Sequence, residues 1–450
     1  MSIPARQIHT ETLIAPNRRV LVVTDTVNGC ADMVRELRSL GLDVMMSAYD
    51  GAAITHLPER APAAALCILS DYIEHGAAIV SDLRTHYDRG DFPILGHLTR
   101  ESRQDHPYDS VLFAPVHAVQ VARRLSSMIR LGQMEREIVR RIDTLRHGFG
   151  VEHTLSSGAT RQPFRVLFVG RADPAYMTFV NAMQGRNAQI VAAFTSFSAF
   201  DYLHESEFDA VIISALNSTE PALTIASTLR RNPRHFHVPV LALVDPGNPV
   251  RIDTDPGAGI HDVIESDRDA DEISGRVLEL ANAYRLHRSM KQEFDDLDAP
   301  ACRDAATGVF NGAFLNVHLK RVSRDCRARQ MPLCILTLKL VPQCVTAVSG
   351  KSISQAFDRG IKLVAKVVRM EDIVARLDDA TIIVAFPEQR RIEVDRIANR
   401  LVAMLEDAAF TSDDRSDESL TLSVDHAVVE QDDWTSHDAA SPFSPVSLVG

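Results

Sequence analysis

The sequence lacks the marks of a membrane, secreted or zinc-bound protein. No window of its 450 residues approaches the roughly 20 consecutive apolar residues that cross a bilayer, so a membrane-spanning helix is excluded. The opening stretch, MSIPARQIHT, has no apolar core of a secretory signal, and the expectation is a cytoplasmic chain. Six cysteines, Cys30, Cys67, Cys302, Cys326, Cys334 and Cys344, contain no CxxC pair. In a reducing compartment they are expected as small core residues, not as disulfides or a zinc site. No basic face is visible either, which disfavours non-specific binding to DNA or anionic lipid. The net charge of -12 is not spread evenly. Residues 406–450 carry eleven acids against Arg415, while the first 405 residues hold 49 acids and 47 bases. The body is balanced and the end is acidic.

At roughly 100–200 residues per domain, this length predicts two to four domains. Two segments show the same alternation of short apolar runs and amphipathic stretches. The first runs from Arg19-Val-Leu-Val-Val-Thr-Asp25 through Ala65-Leu-Cys-Ile-Leu69 and Phe92-Pro-Ile-Leu95 to Ser110-Val-Leu-Phe113, with helices expected over 31–40, 76–89 and from about 117. The second begins 146 residues later at Arg165-Val-Leu-Phe-Val169, and its helices are expected over 174–184, 220–231 and from 270. Buried apolar runs with helices between them point to parallel sheets covered on both faces. The third segment differs: helix 312–328, strand 333–340, helix 352–367, a hairpin of 373–376 and 380–386 turning at Leu377-Asp-Asp, helix 391–407 and a strand at 420–424. The boundaries expected are 17–130, a helical then flexible linker 131–163, 164–288, a linker helix 289–300, 301–430, and an acidic Ser/Pro-rich tail 431–450.

The order of elements in the first two segments resembles phosphoacceptor receiver domains. That chemistry uses an acid pair holding Mg²⁺, an Asp nucleophile, and a Lys before Pro. In the first segment Asp25 matches one acid, with Thr24 in the other place, and Asp71 matches the phosphoacceptor. Ala114 stands before Pro115 where the Lys belongs. Asp71 is therefore either a phosphoacceptor, with Mg²⁺ at Asp25, or a surface Asp on a degenerate receiver. In the second segment the places are filled by Gly170, Arg171, Ser214, Val244 and Ser266, which leaves a docking module.

The third segment resembles the GGDEF domain of diguanylate cyclases. Asp304-Ala-Ala-Thr-Gly-Val-Phe-Asn311 is similar to the opening DxLTGLxNR of that family, and Ala375-Arg-Leu-Asp-Asp-Ala-Thr-Ile-Ile-Val-Ala-Phe-Pro387 to its signature hairpin. The whole order resembles response regulators of the PleD type, and among them the PopA-like branch. The fold class implied is α/β: two flavodoxin-like (CheY-like) receivers, then a GGDEF-type domain with a mostly antiparallel central sheet.

Cyclase chemistry needs metal carboxylates to neutralise a triphosphate. Here Lys339 takes the first carboxylate position, Asp378-Asp-Ala-Thr-Ile382 replaces GGDEF, and Ala347 and Val348 replace the guanine-reading Asn and Asp. The expectation is no enzyme activity. Arg369-Met-Glu-Asp372 matches the family's RxxD inhibitory site for cyclic di-GMP, and Arg400 falls where relatives supply a second Arg. A guanidinium fork takes a phosphate or the guanine acceptor edge, and a carboxylate takes the guanine N–H pair. With i, i+3 spacing the two are expected on one face of a helical turn. RxxD strings also occur at Arg140, Arg268 and Arg376, so position alone singles this one out. The plainer reading is a surface ion pair.

What the resemblance implies is a homodimeric cyclic di-GMP receptor at a cell pole, recruiting a protein adaptor of the ClpXP proteolysis machinery, without DNA binding or membrane insertion. The alternative is a ligand-independent polar scaffold. His235-Phe-His237 reads as a loop and not a metal pair, and Trp434 in the tail as a candidate partner contact.

Overall fold

The computed structural model describes residues 18–70, 72–87, 91–98, 106–114, 116–155, 162–216, 220–232, 234–246, 259–297, 299–343, 349–408, 410–411 and 419–431. Asp71, Pro115, Cys344, Ala347, Val348, Trp434 and the tail from 432 lie outside them.

The first unit follows the apolar runs: β1 (Arg19–Thr24), α1 (Ala31–Ser39), β2 (Asp43–Ala48), β3 (Ala64–Ile68), α2 (Tyr72–His86), β4 (Ile94–Leu98), β5 (Ser110–Phe113) and α3 (Ala118–Phe149). Its sheet has the order β2-β1-β3-β4-β5 with every pair parallel. Alternate residues of β1 face opposite cores: Val20 and Val22 pack with α1 and α3, Leu21 and Val23 with α2. Burial on both faces is why these strands are uniformly apolar.

The second unit repeats the plan: β6 (Phe164–Val169), α4 (Pro174–Met183), β7 (Ala188–Ala193), α5 (Ser196–Glu205), β8 (Ala210–Ser214), α6 (Glu220–Arg231), β9 (Val240–Val244), β10 (Asp262–Glu265) and α7 (Ala270–Asp296). The strand order is again 2-1-3-4-5 and parallel, that of the flavodoxin-like doubly wound sheet. Helix α5 is absent from the sequence reading. Its start is encoded by a capping box in which Thr195 and Ser198 satisfy each other's backbone N–H groups.

The third unit is mixed: β11 (Phe310–Asn311), α8 (Gly312–Ala328), β12 (Leu333–Gln343), α9 (Gly350–Val367), β13 (Ile373–Arg376), β14 (Thr381–Pro387), α10 (Arg391–Asp407), β15 (Phe410–Thr411) and β16 (Ser419–Gln431). Its sheet runs β11-β13-β14-β12-β16-β15, with only β11–β13 parallel. Strand β16 is longer than the 420–424 expected, pairing with β12 over its whole length. One face of the sheet packs on α9 and α10. The other packs on α8 together with α3 and α7, through Met134, Ile138, Leu145, Met290 and Phe294. The third core is therefore closed by helices that begin in the other two units.

Helix α3 crosses position 131, expected as the start of a linker, without a break and ends at left-handed Gly150. Its charged residues are buried. Glu137, with no exposed surface, accepts from Arg140 Nε (3.1 Å), Arg141 Nε (2.7 Å) and His318 Nε2 (3.0 Å). Glu388, after β14, accepts from Arg136 Nη2 (2.8 Å) of α3 and Arg329 Nη1 (3.1 Å), and its carbonyl accepts from Arg18 of the first unit. Its φ of 60° is unusual for a non-glycine residue and is held by bonds to both side chain and backbone.

Burial pushes both carboxyls up, but His318 and Arg141 beside Glu137, and Arg136 and Arg329 beside Glu388, outweigh it and hold both well below the usual range. A group with a depressed folded pKa stabilises fully above its unfolded value and loses that stability as pH falls. Calorimetry of Glu388→Gln is expected to show a loss of about 3–5 kcal/mol, because buried guanidinium groups are left unpaired. It is also expected to show a weaker decline in melting temperature below the ordinary carboxylate value of 4.5. A variant that melts like its parent at pH 7 and pH 4 would contradict the bracing role.

Candidate functional site

The signature hairpin is held shut by its own arginine. Arg376 Nη1 donates to Asp304 Oδ1 (3.1 Å) and Asp358 Oδ1 (2.9 Å), while Nε and Nη2 donate to the carbonyls of Asp378 and Asp379. Asp304, from the opening motif, also accepts from Thr307 N (3.0 Å) and Oγ1 (2.5 Å). Asp378 accepts from the backbone of Ala380 and Thr381, both at 2.9 Å, which is an Asx turn. Where the cyclase resemblance places its two acids, Lys339 on β12 lies directly across the ladder from Thr381 on β14. Among the described residues no group of three or more His, Cys, Asp or Glu could hold a metal ion.

Arg369 and Asp372 are brought together, but not on a helix. Helix α9 stops at Val367, and Asp372 N–H donates to Arg369 O (3.1 Å), making a tight turn into β13. Arg369 is half-buried, and Asp372 is 5% exposed. Asp372 Oδ1 accepts from Gln389 Nε2 (2.9 Å). The turn is docked on α3: Arg141 Nη2 donates to the carbonyls of Met370 (2.8 Å) and Asp372 (3.1 Å), and Arg130 pairs with Glu371 (3.0 Å). Arg141 also stacks over Phe294 and Phe310, at 4.7 and 5.1 Å. Arg400 stands exposed on α10 and, among the described residues, makes no hydrogen bond or ion pair. Burial and the Glu371 carboxylate push Asp372 up to about 8, against the pull of Arg369, Arg130 and Arg18.

At the first unit's strand ends, Asp25 Oδ2 accepts from Ser70 N (2.8 Å) and from its hydroxyl. Burial pushes Asp25 up, but the Ser70 bonds prevail and hold it below the usual range. Thr24 Oγ1 accepts from Thr26 N (3.1 Å), and Ala114 occupies the cation position. The described residues thus supply one carboxylate oxygen, Asp25 Oδ1, where a Mg²⁺ site of this kind uses an acid pair, so the group is not fitted here. The five described cysteines are all buried. No helix among the described residues is long and apolar enough to cross a membrane.

Gln389, Arg130, Arg141 and Glu388 are site residues the sequence reading did not name. Their roles depend on contacts between chain positions far apart, and only the i, i+4 pairing of Glu137 with Arg141 was visible in the spacing.

No protein-family model matches the chain. Among curated proteins it is similar to the response regulator PleD of Caulobacter vibrioides, 24% identical over 205 residues, 45% of this chain and 45% of the relative. The match thus spans less than half the length of the curated relatives. Among solved structures it is similar to the GGDEF domain of DgcB from Caulobacter crescentus in complex with c-di-GMP, at 15% identity over 30% of this chain and 77% of that one, TM-score 0.26. It is also similar to the chemotaxis response regulator CheY4 of Vibrio cholerae, at 13% identity over 26% of this chain and 98% of that one, TM-score 0.24. The fold class itself rests on strand order and register: two parallel receiver-like units and one mostly antiparallel GGDEF-like unit.

A carboxyl raised in the folded state keeps its proton there, and stability falls as pH rises from the ordinary 3.8 towards 8. Asp372→Asn keeps the acceptor for Gln389 and removes the charge. It is expected to melt a few degrees above the parent at pH 8 and level with it near pH 4. Identical melting curves for variant and parent at pH 8 would show that Asp372 is not a buried, reluctant acid.

Proposed function

We propose that the chain is a non-catalytic cyclic di-GMP receptor of the response-regulator class, with its ligand on Arg369, Asp372 and Arg400. The observation that carries this reading is a contrast within one domain. The Arg369–Asp372 turn is kept, while Lys339 faces Thr381 where cyclase chemistry would place carboxylates. A cation and a hydroxyl in place of two acids repel the metal that phosphoryl transfer from GTP requires.

In the docked arrangement the turn is closed. Gln389 takes the Asp372 carboxyl that a guanine N–H pair would otherwise engage, and the cavity beside Arg369 is about 130 Å³. Ligand sites for molecules of drug size run to about 300–1,000 Å³. The ligand therefore selects an undocked state, in which α3 has left the turn, and binding becomes a change in how the three units are arranged. That change is the signal offered to a protein adaptor of the ClpXP machinery, in a homodimer at a cell pole, as the PopA-like resemblance implies. Asp71 in the first receiver is either a phosphorylation input or part of a docking face.

The engagement of Asp372 by Gln389 also favours the second reading, a scaffold that never takes the ligand. Calorimetric titration separates the two. Cyclic di-GMP is expected to bind the parent and to bind Arg369→Ala at least tenfold more weakly, the worth of one charge-assisted contact. No heat with the parent leaves the scaffold. Equal affinity in Arg369→Ala would move the site elsewhere, and turnover of GTP with Mg²⁺ or Mn²⁺ would overturn the non-catalytic half of the proposal.

A further inference from the structure

A second feature lies where the three units meet. The cavity of about 130 Å³ is walled by α3, by α7, by the 236–239 segment and His261 of the second unit, and by Arg369 of the third. Its charged and titratable lining is Arg123, Arg130, Arg369, His237, His261 and His287, with no Asp or Glu. The tautomer of His261 is fixed. Its Nδ1 accepts from Val240 N (3.0 Å) and lies 3.3 Å from Arg230 Nη2, so the remaining ring nitrogen carries the hydrogen.

Behind the lining, buried Arg230 spends its donors on the carbonyls of Gly259 and Val238, and among the described residues its Nη1 has no hydrogen-bond partner. Nearby carboxylates are committed: Glu371 to Arg130 (3.0 Å), Glu279 to Arg124 (2.8 Å), and Asp262 to Gln120 and Arg276. Burial and surrounding cations depress His237 to about 2 and His287 to about 4; Arg130 and Lys291 act on both, Arg230 on His237, and Glu371 opposes at His287. The site carries a surplus of positive field in a region of low dielectric, where an anion gains most.

We infer that this junction cavity is a binding site for a small free oxyanion of the phosphate class. Guanidinium forks match a tetrahedral oxyanion, and neutral imidazole and phenol groups supply further donors without needing a countercharge. The volume excludes a nucleotide in this arrangement. Because the walls come from all three units, a bound oxyanion ties them together and favours the docked state. The inference does not rest on the dinucleotide reading, with which it shares Arg369 alone.

The test is calorimetric titration of inorganic phosphate into the full chain, in a buffer free of phosphate and sulfate. Phosphate is expected to bind the parent and to raise its melting temperature. Arg123→Met and Arg130→Met are each expected to weaken binding at least tenfold. Arg123 is buried, so if circular dichroism shows that variant unfolded, Arg130→Met, at the half-buried rim, decides. No binding into the millimolar range, or equal affinity in parent and folded variants, overturns the assignment.

Discussion

Charge buried along α3 is the constraint on which the arrangement of the three units depends. Glu137 and Glu388 are carboxylates removed from water, and each is viable only because guanidinium groups reach it from more than one element. Glu137 draws in Arg140 and Arg141 from its own helix and His318 from α8. Glu388 draws in Arg136 from α3, Arg329 from the end of α8, and Arg18 from the strand that opens the chain's first sheet. Apolar burial in the shared core holds the helices against the third sheet, but it is not directional. The ion pairs are directional, and they fix the register of α3 against the turn at 369–372.

That register has a chemical consequence. With Arg141 on the turn's carbonyls and Gln389 on its carboxyl, Asp372 is kept from water and from its own charge. A group that resists ionisation in the docked state and ionises readily when exposed makes undocking easier as pH rises. The signature hairpin next to it is locked by Arg376 across Asp304 and Asp358. The third unit therefore combines a rigid hairpin, stripped of its acid pair, with a turn whose accessibility is set by another part of the chain. Such a unit is built to report an arrangement.

Much of the fold was legible because its strands are short apolar runs buried on both faces, as at Val20–Val23 and Val166–Val169. The helices of the third unit, 312–328 and 391–407, fall where their periodicity places them. The misses have physical causes. Helix α5 is short and leaves Phe197 and Phe200 exposed, so no clean apolar stripe marks it. The RxxD pair looked like neighbours on a helical turn, yet α9 ends first and a backbone bond from Asp372 to Arg369 makes the turn instead. Most of all, the charges of α3 read as a solvated linker. Their partners His318 and Glu388 are 181 and 252 residues away from Glu137 and Arg136, beyond any local pattern.

The central claim is that docking on α3 and ligand binding at the turn exclude one another. Apparent affinity is reduced by the fraction of molecules that are binding-competent, so loosening the dock must raise it. The direct measurement is the dissociation constant for cyclic di-GMP of Glu388→Gln beside that of the parent, a substitution in the brace and not in the ligand site. The account predicts tighter binding in Glu388→Gln. Equal or weaker binding would contradict it.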